Sequence, residues 1–187
     1  MNDLGLFHEH FKPTKRQAIS RQYPNMKSGS PDHFQTDPVA LNPLLKFLFP
    51  FRIIWECAAG KGKLVKKLED AGHIVVPTDI LTGQDFLSCD PYVHDAIVTN
   101  PPYTIKDAFL QRCYELEKPF ALLLPLTTFD SRKRRLMMKK HGVEVVFLPN
   151  RVNFETPNGM GSSSWFATAW FTKGLNIGQQ LTFTDEP

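Results

Sequence analysis

At 187 residues the chain is long enough to bury a core of its own and too short for an ordinary two-domain enzyme. Hydrophobic residues at 42% and charged residues at 22% exclude wholesale disorder, while a net charge of +3 permits a nucleic-acid partner without diagnosing one. Cys57, Cys89 and Cys113 are scattered without paired spacing, which argues against a disulfide framework or a zinc site and for a reducing cytoplasm; no apolar run reaches bilayer-spanning length, and the polar start around Asp3, His8, Glu9 and His10 predicts neither a leader nor a membrane anchor.

Residues 1–33 are polar, carry Pro13, Pro24 and Pro31, and read as an arm or lead-in to a single domain over 34–187. His8 and His10 have no cysteine or clustered carboxylate beside them, so no metal is expected there. Between Pro38 and Phe49 the residues Val39, Leu41, Leu44, Leu45 and Leu48 recur at helical intervals, with Pro50 as a stop. A short strand, Arg52 to Glu56, runs through the small-residue turn Cys57 to Gly62 into a helix over 63–71; Gly72 closes it, and a second strand, His73 to Ile80, ends beside an acid. Gln84 to Leu87 predicts a further short element. A strand follows over 95–99, then a helix over 105–116 with Ile105, Phe109 and Cys113 on one stripe, a buried strand over 121–124, a basic helix over 131–141 closed by Gly142, and a strand over 143–148.

The last strong strand, Ser164 to Phe171, leaves almost no room for a crossover helix after 143–148, which predicts an antiparallel pair. The alternation as a whole predicts an α/β fold: a doubly wound, mainly parallel seven-stranded sheet of Rossmann-like type with an antiparallel last strand.

Chemistry concentrates in a few turns at strand ends, where open α/β sheets bind ligands. Gly60 and Gly62 allow close backbone approach, with helix N–H donors behind them, yet neither a GxGxxG pattern nor a GKS or GKT ending is present, which disfavours nucleoside triphosphates. Asp79 stands where an acid accepts both hydroxyls of a ribose, or caps a helix. Asp85 and Phe86 suit the amino group and face of an adenine ring, or a cap and a core residue. Asn100-Pro101-Pro102-Tyr103 leaves a strand with two prolines that a regular ladder cannot absorb, so it aims acceptors outward and presents an aromatic surface.

On these residues the chain resembles the S-adenosylmethionine-dependent N6-adenine DNA methyltransferases in which the cofactor motif precedes NPPY, over about residues 33 to 172. Phe34-Gln35-Thr36-Asp37-Pro38 is similar to the family's first motif, whose threonine, Thr36, is expected near the methionine carboxylate; Asp37 intervening before the proline is a departure. The resemblance implies that Glu56, Ala58, Gly60 and Gly62 form the cofactor loop, that Asp79 is the ribose acid and Ile80 its apolar neighbour at the cofactor, that Asp85 and Phe86 bind the adenine, and that Asn100 also lies at the cofactor. NPPY matches the catalytic motif in full, so Asn100, Pro101, Pro102 and Tyr103 are the expected catalytic residues. Phe154, in Phe154-Glu155-Thr156-Pro157, resembles the aromatic that packs against an extruded base, with Trp165 as competitor.

Arg132, Lys133, Arg134, Arg135, Lys139 and Lys140 form the strongest local charge concentration, and Arg132, Arg134 and Arg135 are expected at the phosphates of a nucleic acid. The implied partner is DNA, with no membrane and no metal, in the cytoplasm of a bacterium or a phage-infected host; a separate target-recognition domain is missing from the pattern. Methyltransferases acting on RNA bases or on a protein glutamine share NPPY and are the nearest alternatives, followed by a catalytically silent nucleic-acid-binding or anti-restriction protein of the same fold.

Overall fold

A computed structural model describes residues 35–155, 161–163 and 166–184. In chain order these carry β1 (Gln35–Thr36), a 3-10 turn (Pro38–Leu41), α1 (Asn42–Leu48), β2 (Ile53–Glu56), α2 (Lys63–Asp70), β3 (Ile74–Pro77), β4 (Ala96–Thr99), α3 (Lys106–Glu115), β5 (Phe120–Pro125), α4 (Arg132–His141), β6 (Glu144–Phe147), β7 (Asn153–Glu155), β8 (Gly161–Ser163), β9 (Thr168–Lys173) and β10 (Leu181–Phe183).

Among the described residues seven strands form the main sheet, in the order β3-β2-β4-β5-β9-β6-β10. β3, β2, β4 and β5 are mutually parallel; β9 runs antiparallel to both β5 and β6, and β10 pairs parallel with β6. The expected doubly wound, mainly parallel sheet is therefore present, and its antiparallel member is β9, inserted between β5 and β6. A separate three-stranded antiparallel sheet, β1-β7-β8, pairs Thr36 with Phe154.

The central strands lack polar alternation because both faces are covered. Along β4, Ala96 and Val98 join one core layer and Ile97 the other; along β5, Ala121 and Leu123 oppose Phe120, Leu122 and Leu124. α1 and α2 supply Leu44, Leu48, Leu64 and Leu68 to the first layer, and α3 and α4 supply Phe109, Leu110, Cys113 and Met138 to the second. The Trp170 indole N–H in β9 donates to the Ala40 carbonyl at 2.7 Å, tying the sheet to the segment before α1.

The helix expected over 38–49 divides in two, since Asp37 accepts from Val39 N–H at 3.0 Å and caps a 3-10 turn that leaves Val39 exposed. The element expected at Gln84 to Leu87 is a turn. Ile105 precedes α3 and is exposed, so only Phe109 and Cys113 of the expected stripe face the core. The final expected strand begins later, at Thr168; Phe34, Thr156, Pro157, Ser164 and Trp165 lie outside the described residues. No helix among the described residues is long and apolar enough to cross a membrane.

Candidate functional site

The strand order fixes where a ligand crevice opens. From β2 the chain crosses to β3 on one side and returns to β4 on the other, so the C-terminal ends of β2 and β4 flank a topological switch point. Glu56 ends β2 and Thr99 ends β4, and the buried Thr99 hydroxyl donates to Glu56 Oε1. The same oxygen accepts from Ala58 N–H at 3.1 Å, whereas Glu56 Oε2 is buried without a hydrogen-bond partner. Burial pushes the Glu56 pKa up from 4.5 to about 7, with the Asp79 charge adding to it and the hydrogen bonds from Thr99 and Ala58 opposing it.

The loop after β2 is shaped by its glycines. Gly60 has φ +51° and Gly62, at the entry to α2, φ +76°, in the left-handed region that other residues adopt at a cost. Gly60 N–H donates to Asp79 Oδ2 at 2.8 Å, and Lys61 N–H donates to Gln35 Oε1 at 2.9 Å. Asp79 Oδ1 meanwhile accepts from Leu81 N–H at 2.8 Å, capping the 3-10 turn Ile80–Thr82. Each carboxylate oxygen keeps one lone pair for a hydroxyl donor. Ile80 beside it is 65% exposed, an apolar surface at the crevice rim.

Asn100 follows β4 with Pro101 buried behind it. Its Nδ2 donates to Thr36 Oγ1 at 2.7 Å, which leaves Oδ1 as the open end of the amide, buried and without a partner. A cleft of about 30 Å³ is lined by Gln35, Thr36, Glu56, Ala58, Ala59, Lys63, Leu64 and Asn100; it brings together Thr36, Glu56, Ala58 and Asn100 of the expected residues, and Gly60, Gly62, Asp79 and Ile80 lie outside its lining. Two of its walls thus carry buried side-chain oxygens, Glu56 Oε2 and Asn100 Oδ1, without a partner in the protein.

Tyr103 is half-buried, and its ring meets Phe166 at 5.7 Å and Phe154 at 6.3 Å between centroids, edge to face in both cases. The expected aromatic surface is one ring of an aromatic cluster, in the edge-to-face arrangement that ring quadrupoles favour. Phe154 reaches the cluster from β7, and Phe166, which sequence reasoning did not single out, reaches it from just before β9.

Phe86 lies away from the crevice, and Asp85, Arg134 and Arg135 already have partners within the protein. Phe86 is 1% exposed and packs against Trp55 at 5.1 Å and Phe109 at 4.8 Å, so its ring fills the second core layer. Asp85 accepts from Leu87 N–H at 3.0 Å and the Ser88 hydroxyl at 3.2 Å, as short polar side chains do at turns. Arg134 pairs with Asp107 at 2.8 Å and donates to the carbonyls of Thr128 at 2.5 Å and Thr127 at 3.2 Å, while Arg135 donates to those of Phe129 at 2.7 Å and Asp130 at 2.8 Å. These two guanidiniums hold the turn between β5 and α4, Arg135 from an exposed position, and Arg132, Lys133, Lys139 and Lys140 are the other exposed cations of that helix.

No protein-family model matches this sequence, and no curated protein does. Solved structures do match. A candidate RNA methyltransferase, PH1948 from Pyrococcus horikoshii, superposes with a TM-score of 0.52 at 12% identity over 70% of this chain and 78% of that one. A precorrin-6y C5,15-methyltransferase from Geobacter metallireducens GS-15 gives 0.48 at 13% identity over 76% and 95%, and the 23S rRNA methyltransferase ErmE gives 0.47 at 18% over 69% and 65%. At such identities the likeness is one of fold: with a seven-stranded mixed sheet carrying an antiparallel strand between β5 and β6, the chain has the Rossmann-like methyltransferase fold.

Proposed function

We propose that this chain transfers a methyl group from S-adenosylmethionine to the exocyclic amino group of adenine in DNA. The observation that carries the reading is Asn100 Oδ1, a buried acceptor without a partner at the lip of the switch-point crevice, immediately before two prolines and an aromatic residue. The cofactor fits the residues present. Gly60 and Gly62 keep the loop low, Asp79 retains lone pairs for hydroxyl donors, Ile80 offers an apolar wall, and Glu56 Oε2 is an unfilled acceptor for a cationic amine.

When bound, S-adenosylmethionine supplies a methyl group on a positively charged sulfur. The residues of the chain act on the acceptor. An exocyclic amine conjugated to a purine is a poor nucleophile, because its lone pair is delocalised into the ring. Asn100 Oδ1 and the Pro101 carbonyl, accepting one hydrogen each, draw that nitrogen toward tetrahedral geometry and stabilise the positive charge that develops on it. Transfer would neutralise the sulfur and move its positive charge to the acceptor nitrogen, which then releases one proton to solvent, so alignment of the nitrogen with the donor is the main demand, worth several kcal/mol or more. Tyr103, with Phe154 and Phe166 behind it, lines the path of a base leaving the stack, at about 1–3 kcal/mol per stacked ring. Exposed Arg132 and Lys133 supply phosphate contacts.

An RNA base presents the same amino group, and the likeness to a candidate RNA methyltransferase favours it as the second acceptor. Labelled methyl incorporation into DNA, RNA and protein, assayed side by side, separates the readings. DNA labelling on adenine N6 is the expected result, and Asn100→Ala is expected to reduce it at least ~100-fold while cofactor binding measured by calorimetry persists. Labelling of RNA or protein alone, or cofactor binding without turnover on any of the three, would overturn the DNA assignment.

A further inference from the structure

β1 is two residues long, and both of its side chains are committed to loops far away in sequence. Gln35 Oε1 accepts from Lys61 N–H at 2.9 Å, and a Cβ on Gly60 would stand 2.7 Å from Gln35 Nε2 and 2.9 Å from Oε1, so this amide lies directly against the turn that follows β2. Thr36 Oγ1, in a residue 5% exposed, accepts from Asn100 Nδ2 at 2.7 Å. Both residues line the same small cleft. β1 is itself fixed by pairing with β7, Thr36 opposite Phe154, whose ring meets Tyr103.

We infer that Gln35 and Thr36 are positioning residues that couple the two halves of the site: Gln35 holds the Gly60–Lys61 turn in its cofactor-binding shape, and Thr36 orients the Asn100 amide with Oδ1 toward the acceptor. This rests on the methyl-transfer reading above and assigns Thr36 a partner on the acceptor side, in place of the methionine carboxylate. The physical reason is that an amide has two nearly isosteric ends. Without Thr36 the Asn100 side chain is free to rotate and present NH2, a donor, to an incoming amino group that is itself a donor. Thr36 Oγ1 accepts from the NH2 end and so holds Oδ1 outward; because a hydroxyl can also donate, the selection operates while the Thr36 hydrogen points away from the amide. The loop has a similar ambiguity, since Gly60 and Gly62 permit many conformations and external hydrogen bonds must choose among them.

The experiment uses the full chain and two pairs of variants, with one ligand-independent and one functional readout for each. Gln35→Ala is expected to raise amide hydrogen exchange at Lys61 at least tenfold and to weaken S-adenosylmethionine binding by a similar factor. Gln35→Glu, which keeps the acceptor oxygen, is expected to restore both. Thr36→Val is expected to shift and broaden the Asn100 side-chain NH2 resonances and lower kcat at least tenfold with cofactor affinity within twofold of the parent, and Thr36→Ser is expected to restore them. Unchanged Lys61 exchange in Gln35→Ala, or loss of cofactor affinity instead of kcat in Thr36→Val, would overturn the assignment. If the parent shows no methyl transfer to any acceptor, the functional reading fails, while the exchange and NH2 resonances still decide whether these two residues position the loop and the amide.

Discussion

Glu56 is a buried carboxyl with one oxygen hydrogen-bonded and one not, and its titration leaves a signature in stability. Its folded pKa of about 7 stands above the ordinary 4.5, so between those values the folded protein retains a proton that the unfolded chain has lost. The associated stability is full below 4.5, declines as pH rises toward 7, and stays lost above it, by on the order of 3 kcal/mol. Thermal melts of the ligand-free protein across that window are expected to show the decline, and Glu56→Gln is expected to flatten it. Gly60→Ala tests a different physical term: a side chain at φ +51° costs about 1–2 kcal/mol and collides with Gln35, so denaturant titration should show at least that loss, accompanied by weaker cofactor binding. Residues of this kind were legible in proportion to how local their chemistry is. The glycines and Asn100 announce themselves by type and neighbours. Gln35 does not, because its partner Lys61 is distant in the chain, and Asp85 is ambiguous because an acid at a turn looks the same whether it binds a ligand or the N–H two residues on.

At the scale of elements, α4 divides its cations by face. Arg134, its side chain 12% exposed, bridges to Asp107 of α3 and to two carbonyls of the turn before α4, so Arg134→Ala is expected to lose about 1–3 kcal/mol in chemical denaturation, as for hydrogen bonds to a charged group. The double reversal Arg132→Glu, Lys133→Glu touches exposed side chains and is expected to leave stability within ~0.5 kcal/mol. Its effect should appear in fluorescence anisotropy with DNA, as weaker binding and a salt slope shallower by about one for each phosphate no longer neutralised. A sequence shows the concentration of charge and not its division, which depends on which carbonyls the preceding turn exposes. Strands follow the same logic. β2, β4 and β5 were legible as apolar runs because both faces are buried. β1, β7, β8 and β10, two or three residues each, exist through their partners and carry no periodicity to read.

For the molecule as a whole, the expected strand number and the one observed agree by a route that the sequence does not display. The described sheet ends at β3 on one side, and β10 beside β6 makes up the seven on the other. The expected antiparallel pairing of 143–148 with the strand near 171 is present as β6 with β9, although the connection, residues 148–167, is not short; it carries β7 and β8 in place of a crossover helix. The same strand is what joins the halves: β9 pairs along its full length with β5, from Phe120 opposite Lys173 to Pro125 opposite Thr168, and with all four residues of β6.

That insertion has a bearing on synthesis. A ribosome releases β5 and β6 well before the strand that must slip between them, so until Lys173 has cleared the exit tunnel the growing chain carries two unzipped edges, and Trp170 has yet to reach the Ala40 carbonyl. Nascent chains arrested, through a C-terminal linker that spans the tunnel, with Arg151 just outside it are expected to be cut readily by protease and those arrested with Thr184 outside to resist, with the gain arriving in one step as the last long strand locks the sheet.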